Sequence, residues 1–287
     1  MIRKIGFTLF VILLAILPFV TGIAISRHSP YLEGNPFQTF VLIWAAISIA
    51  FCLIVWVLWK YYHATFGRLF VAGALLFLLI CPIFGIVGLA SPPDLSLKML
   101  DHPEREHLRY LFLFLAAILS SVSFFFTLRN PSFNANLNMK RLLTGLAILA
   151  TSEFAWEFTH HYLYPEALQE WINQGKNVKD FSVHYDISII WIGVLGRYVQ
   201  YLLILLLSIV LYRLRHIKIW STVLCVFFSS VGIAASTVVY ITMLNFPKGF
   251  EFLMMFFIPG FPFLLLYWLG VALLTKLNKG SEGIHPL

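Results

Sequence analysis

Residues 37–59 read FQTFVLIWAAISIAFCLIVWVLW and contain no charged side chain. An α-helix rises about 1.5 Å per residue, so a run of about 20 apolar residues can cross the hydrocarbon core of a bilayer. Comparable runs fill most of the remaining chain and predict eight transmembrane helices. The predicted spans are about 5–26, 37–59, 68–90, 107–128, 140–163, 186–212, 218–243 and 250–275.

The composition supports the same fold class. The chain of 287 residues is 60% hydrophobic and 17% aromatic, and only 11% of its residues are charged. The longest connections, about 91–106 and 164–185, are too short to form a globular domain. We therefore predict an all-α, polytopic integral membrane protein with short loops. It forms a single transmembrane domain over residues 1–287, and the lipid bilayer is its main partner.

The net charge of +7 is explained by its distribution along the chain. Basic residues cluster in the segments that this topology places on one side, and the only acid in those segments is Glu282. Because cytoplasmic segments carry an excess of Lys and Arg, both termini are predicted to be cytoplasmic. The basic residues are Arg3, Lys4, Lys60, Arg68, Arg129, Lys140, Arg141, Arg213, Arg215, Lys218, Lys276 and Lys279.

This distribution also bears on partners and location. A bilayer orientation signal accounts for the positive charge, so we predict no nucleic-acid partner. The predicted location is a bacterial cytoplasmic (inner) membrane, with an equivalent eukaryotic membrane as the alternative. The first span resembles a signal peptide, but its apolar run of about 20 residues exceeds the 7–15 typical of a cleaved one. We therefore expect a retained helix, with cleavage as the alternative. The sequence leaves the oligomeric state open.

Two local sequence patterns predict features other than straight membrane spans. After span five, Pro165 and Gly175 are typical of the start and end of a helix, which predicts a short interfacial helix over about 165–174. In the last span, Pro259, Gly260 and Pro262 interrupt the apolar run. Proline removes a backbone donor, so a kink is expected there.

Three strongly charged side chains lie deep inside the predicted spans: Glu153, Glu157 and Arg197. A charge at membrane depth costs at least about 2.5–3.5 kcal/mol on insertion scales, so such residues usually have a function or a partner. Helical periodicity places Glu153, Glu157 and His160 on one face of span five, with His161 at its margin.

On span six the same periodicity aligns Asp186, Arg197 and Tyr201. If spans five and six end at equal depth, Arg197 lies level with Glu153, about 15 Å below the outer surface. We therefore expect a Glu153–Arg197 ion pair. This pairing leaves Glu157 without a partner, facing a region that His160, His161 and His184 line towards the outer side.

Three hypotheses account for this cluster. The first is a membrane-embedded enzyme acting on a lipidic or lipid-linked substrate at the outer leaflet. Glu157 would be its general base, His160 its acid–base partner and Arg197 its anion anchor. Supporting positions would be Glu153, His161, His184, Asp186 and Tyr201. The second is a proton-coupled small-molecule transporter with a Glu/His relay. The third is a structural, charge-paired helix interface.

A bound metal ion is a subsidiary hypothesis of the enzyme interpretation. Glu157 and His160 have the Glu-x-x-His spacing by which one helical turn presents two ligands, as in di-iron carboxylate bundles. A complete site would need further ligands from other helices, and the pattern does not distinguish zinc from iron. No nucleotide-binding, zinc-protease or serine-hydrolase motif occurs in the sequence.

Overall fold

The computed structural model describes residues 2–30, 36–89, 100–243 and 246–280, and all regular structure in these ranges is helical. Two short 3-10 helices, Val178–Asp180 and Glu251–Leu253, precede α7 and α9. The α-helices are α1 (Ile2–Ser26), α2 (Phe37–Leu78), α3 (Ile80–Leu89), α4 (Pro103–Leu128), α5 (Leu137–Tyr162), α6 (Tyr164–Asn173), α7 (Phe181–Arg213), α8 (Ile219–Thr242), α9 (Met254–Phe257) and α10 (Gly260–Gly280).

The helices have the architecture of a multi-pass membrane protein. In the ranges that the structure describes, five helical segments are long and apolar enough to cross a bilayer, and a sixth forms if the bent pair α9–α10 counts as one span. The five are Phe37–Lys60, Gly67–Leu89, Pro103–Leu128, Trp191–Arg213 and Ile219–Thr242. The predicted first and fifth spans are also helical, as α1 and α5. However, α5 carries Lys140, Arg141, Glu153 and Glu157, and Ile12–Ser26, the continuous part of α1 whose side chains are described, is below the length of a span. Eight spans therefore remain a prediction.

Two breaks shape the bundle. At Gly67 the backbone of α2 takes φ 46° and ψ −127°, which a residue with a side chain rarely adopts, and the chain turns there between two spans. In the last span α9 ends at Phe257, and α10 begins at Gly260 with a bend of 62°. Ile258 is extended, with φ −64° and ψ 137°, because a residue that precedes proline disfavours the helical conformation.

Helix α7 lies inside the bundle and packs against α5, α8 and α10, while α2 packs against α4 and α10. Small residues allow some helices to approach closely. A Cβ atom on Gly270 of α10 would lie 2.6 Å from the backbone nitrogen of Phe77 in α2, so only glycine permits this crossing. The short helix α6 buries Leu168 against Phe181, the first residue of α7.

Candidate functional site

The centre of the candidate site is the guanidinium group of Arg197 on α7, which is fully buried, with 0% of its surface exposed. Its Nη2 donates a hydrogen bond to Glu157 Oε1, and its Nη1 donates to Gln200 Oε1. Its Nε donates to the backbone carbonyl of Phe257 at 2.7 Å. One side chain therefore joins α5, α7 and the end of α9.

The second carboxylate, Glu153, is linked to the same arginine less directly. Glu153 Oε2 lies 3.6 Å from Arg197 Nη1 and accepts a hydrogen bond from Gln200 Nε2. Gln200 therefore bridges the two ions, accepting from one and donating to the other. We call Glu153, Glu157, Arg197 and Gln200 the buried cluster.

The predicted Glu153–Arg197 ion pair is present at 3.6 Å, but it is not the closest ion pair of Arg197. Arg197 binds Glu157 directly and approaches Glu153 at a longer distance, so the expectation that Glu157 has no partner is wrong. In a helix, side chains slant towards the N-terminus. The pairs Glu157–Arg197 and Glu153–Gln200 show that α5 and α7 run antiparallel. The side chains of α5 and α7 therefore slant in opposite directions along the bundle. The Cα atoms of two paired residues lie at different depths, so a comparison of Cα depths does not predict the pairs.

Close approach of α5 and α7 depends on Gly196. A Cβ atom on Gly196 would overlap the carboxyl group of Glu153. Glycine at this position therefore makes the space that the buried carboxylate occupies. Gly193, one turn away, has a different neighbour, because a Cβ atom there would lie 3.3 Å from the Phe257 ring.

The break between α9 and α10 supplies the backbone part of the site. The amide of Phe261 bonds to the carbonyl of Ile258, so the carbonyl of Phe257 does not receive its usual helical donor. Arg197 Nε donates a hydrogen bond to that carbonyl instead, and the buried Tyr201 hydroxyl donates one to the carbonyl of Phe256. Two side chains of α7 thus cap the end of α9, as orphan carbonyls in a membrane require.

The buried cluster holds one cation and two carboxyl groups, so its formal charge is −1 when both acids are ionised. Glu153 Oε1 and Glu157 Oε2 are buried and accept no hydrogen bond from the described part of the chain. A buried net charge is costly, whereas one added proton makes the cluster neutral. The arrangement can therefore bind and release a proton.

The predicted histidines form a separate aromatic layer beyond the Glu157 end of the cluster. The ring of His160 lies 4.4 Å from that of Tyr185, and His161 stacks on Tyr110 at 4.5 Å. His184 is exposed beside Trp171, with ring centroids 5.5 Å apart. His160 and His161 belong to α5 and His184 belongs to α7, and each of the three packs against an aromatic ring.

Of the remaining predicted site residues, the structure describes the side chain of Tyr201 but not that of Asp186. Tyr201 lies in the site, where its ring packs so closely on α8 that a Cβ atom on Gly232 would overlap it. Asp186 belongs to α7, but its side chain lies outside the described residues. Among the described residues, no group of three or more His, Cys, Asp or Glu is arranged to hold a metal ion. The structure therefore offers no support for the metal hypothesis.

Sequence reasoning missed Gln200 and the carbonyls of Phe256 and Phe257. Gln200 follows Arg197 by one helical turn, which was an available signal, since a buried amide needs partners. The chain matches no protein-family model, and comparisons with curated proteins and with solved structures found no match. Any function must therefore be argued from the site itself.

Proposed function

We propose that the protein is a proton-coupled transporter of a small molecule and that the buried cluster is its proton-binding site. The observation that carries this proposal is the excess of acid: Glu153 and Glu157 share one arginine, and each keeps a buried oxygen without a hydrogen bond. Ionisable groups inside membrane helices are characteristic of proton relays in pumps and transporters.

The geometry assigns different roles to the two acids. Glu157 is the direct counter-ion of Arg197, so its carboxyl group is committed to that ion pair. Glu153 lies farther from the guanidinium and needs only to accept from Gln200, which a protonated carboxyl group also does. We therefore assign the transported proton to Glu153.

The broken last span supports transport. Discontinuous membrane helices with exposed carbonyls occur at the binding sites of many secondary transporters. Here the ends of α9 and α10 meet at Ile258 and Pro259, and the freed carbonyls are held by Arg197 and Tyr201. A change in the charge of the cluster therefore acts directly on the junction of two helices.

Buried hydroxyl groups extend from the cluster towards the basic end of α7 and α8, which carries Arg213 and Lys218. Ser236 and Ser229 of α8 and Ser208 of α7 are each 0% exposed. Thr222 Oγ1 donates to the backbone carbonyl of Ser208 at 3.4 Å. Buried hydroxyl groups spread along the length of α7 and α8 favour transport over a one-sided catalytic pocket.

This arrangement ranks transport above the lipid-acting enzyme. The proposed general base, Glu157, is bound to Arg197, and the ring of His160 packs on Tyr185. Catalysis would require both groups to be released. A structural interface explains the pairing of Glu157 but gives no reason for the second carboxyl group.

The proposal can be tested with full-length protein in liposomes on a solid-supported membrane. A step from alkaline to acidic buffer should give a transient current as the cluster binds protons, and Glu153→Gln should remove it. Glu170→Gln, an exposed substitution on α6, is the matched control and should keep the current. Equal currents from the wild type and Glu153→Gln would contradict the proton site.

Transport itself needs a second measurement on the same liposomes. Defined mixtures of amino acids, sugars, nucleosides and organic acids are added at constant pH, and the internal pH is followed with a trapped dye. One class should drive proton uptake in the wild type and not in Glu153→Gln. If the proton current is present but no class moves protons, the site binds protons without coupling, and the transporter proposal fails.

A further inference from the structure

A cleft of about 420 Å³ lies between α4 and α5, on the outside of the bundle. Its walls are mainly apolar, and its flanks are open, since Phe125 is 49% exposed and Ile148 is 61% exposed. Its volume lies in the range of about 300–1,000 Å³ that is typical of small-molecule sites. Its other lining residues include Phe124, Leu128, Ala147 and Arg129.

Three of the four hydroxyl groups that line the cleft already have partners. Ser121 and Thr151 hydrogen-bond to each other at 2.8 Å, and Thr144 donates to the carbonyl of Lys140 at 2.8 Å. A hydrocarbon chain can therefore enter without leaving these hydroxyls unsatisfied. Apart from Arg129, the cleft has the chemistry of an acyl-chain site.

The mouth of the cleft is strongly basic. Arg129 follows the last residue of α4, and Arg68 donates to the Arg129 carbonyl at 3.1 Å, which brings a second guanidinium close. Lys140 and Arg141 lie in the first two turns of α5. Within the described ranges, none of these four residues forms an ion pair with an acid. The mouth therefore carries several positive charges that nothing in the described protein neutralises.

We propose that this cleft binds an anionic phospholipid, with one acyl chain between α4 and α5 and the phosphate held by Arg129 and Arg68. Charge complementarity selects this occupant, because basic pockets between membrane helices bind anionic headgroups. Guanidinium groups also match phosphate geometry. A partner helix would cover the apolar flanks but would leave the basic mouth without a counter-charge. This inference does not depend on the proposed transport function.

The test uses full-length protein in nanodiscs of phosphatidylcholine. Phosphatidylglycerol with a photoreactive acyl chain is titrated in, and cross-linked peptides are mapped by mass spectrometry. Cross-links should concentrate on residues 121–129 and 144–152. Arg129→Gln should weaken the apparent affinity about fivefold, since one basic group near the surface contributes about 1 kcal/mol. Arg213→Gln removes the same charge from an exposed position at the end of α7 and should change little.

A cleft-filling variant and two competing ligands distinguish the phospholipid from other possible occupants of the cleft. Thr144→Trp fills the cleft from an exposed position and should abolish cross-linking there while the protein elutes normally in size exclusion. Excess phosphatidylglycerol should compete, whereas glycerol phosphate should not. Equal loss in Arg129→Gln and Arg213→Gln, cross-links spread over all helices, or competition by glycerol phosphate would each overturn the proposal. So would a cross-linked second protein chain in the cleft.

Discussion

Glu157→Gln and Glu153→Gln are the same chemical change, one helical turn apart, yet the buried cluster predicts different losses of stability. Removing one partner of a buried ion pair typically costs about 3–5 kcal/mol. After Glu157→Gln, Arg197 keeps the carbonyl of Phe257, and Glu153 remains 3.6 Å away. Glu153 can then ionise and replace part of the lost charge. We therefore expect the lower end, about 3 kcal/mol.

Glu153→Gln should cost less than about 1 kcal/mol, the scale of one neutral hydrogen bond. If Glu153 holds the proton, a neutral amide replaces a neutral carboxyl group and still accepts from Gln200. Since 1 kcal/mol shifts the melting temperature of larger domains by about 2–4 °C, Glu157→Gln should lower it by about 6–12 °C and Glu153→Gln by about 4 °C or less.

Thermal melting of the purified protein in detergent, followed by size-exclusion fluorescence, measures this difference. A double-mutant cycle refines it. Coupling to Arg197→Gln should be larger for Glu157→Gln than for Glu153→Gln, because the first pair is hydrogen-bonded whereas the second is 3.6 Å apart. Equal shifts for the two single variants, or stronger coupling through Glu153, would refute both the pairing and the assignment of the proton.

Two further outcomes check the packing and the topology. Gly196→Ala should lower the melting temperature by several degrees, because the new methyl group meets the neighbouring glutamate carboxyl. Gly145→Ala has no atom within 4 Å of the new methyl group and should be neutral or slightly stabilising; similar melting of the two would show that α5 and α7 are farther apart. Single cysteines at Lys176 and Asn134, in a background without the native cysteines, should react with an impermeant thiol reagent from opposite sides of the membrane. Reaction of both from one side would overturn the predicted orientation.

The helical segments could be predicted from the sequence because length and apolarity almost suffice to define a membrane helix. The segment predicted at 37–59 corresponds to Phe37–Lys60, and that at 218–243 to Ile219–Thr242. The bend near Pro259 was equally visible, because proline cannot continue the hydrogen-bond ladder. The number of spans that cross the bilayer is less accessible, since α5 combines apolar residues with charges that only its partners in the fold offset.

The charged residues of the buried cluster could be predicted from the sequence, but the hydrogen bonds that link them could not. Glu157 and Arg197 stand out because charge is expensive in a membrane, but Gln200 carries no charge and gave a weaker signal. The carbonyls at the end of α9 gave none, because every residue has one and only the fold shows which are free. The slant of side chains along antiparallel helices, which decides between the two glutamates, requires the actual register of α5 and α7.

Arg197 couples charge to helix position because it holds two kinds of group at once. One edge of the guanidinium binds Glu157, and its Nε binds the carbonyl of Phe257 at the end of α9. In the proposed transporter, loss of the Glu153 proton would add a second negative charge beside Nη1, 3.6 Å away. The guanidinium is then drawn towards Glu153, and its hold on the α9 carbonyl weakens. Ile258 is already extended and Pro259 provides no amide donor, so the junction can change its angle without breaking a helical hydrogen bond at that residue. In the proposed transporter, protonation of one carboxyl group and the bend of the last span would therefore be parts of one equilibrium.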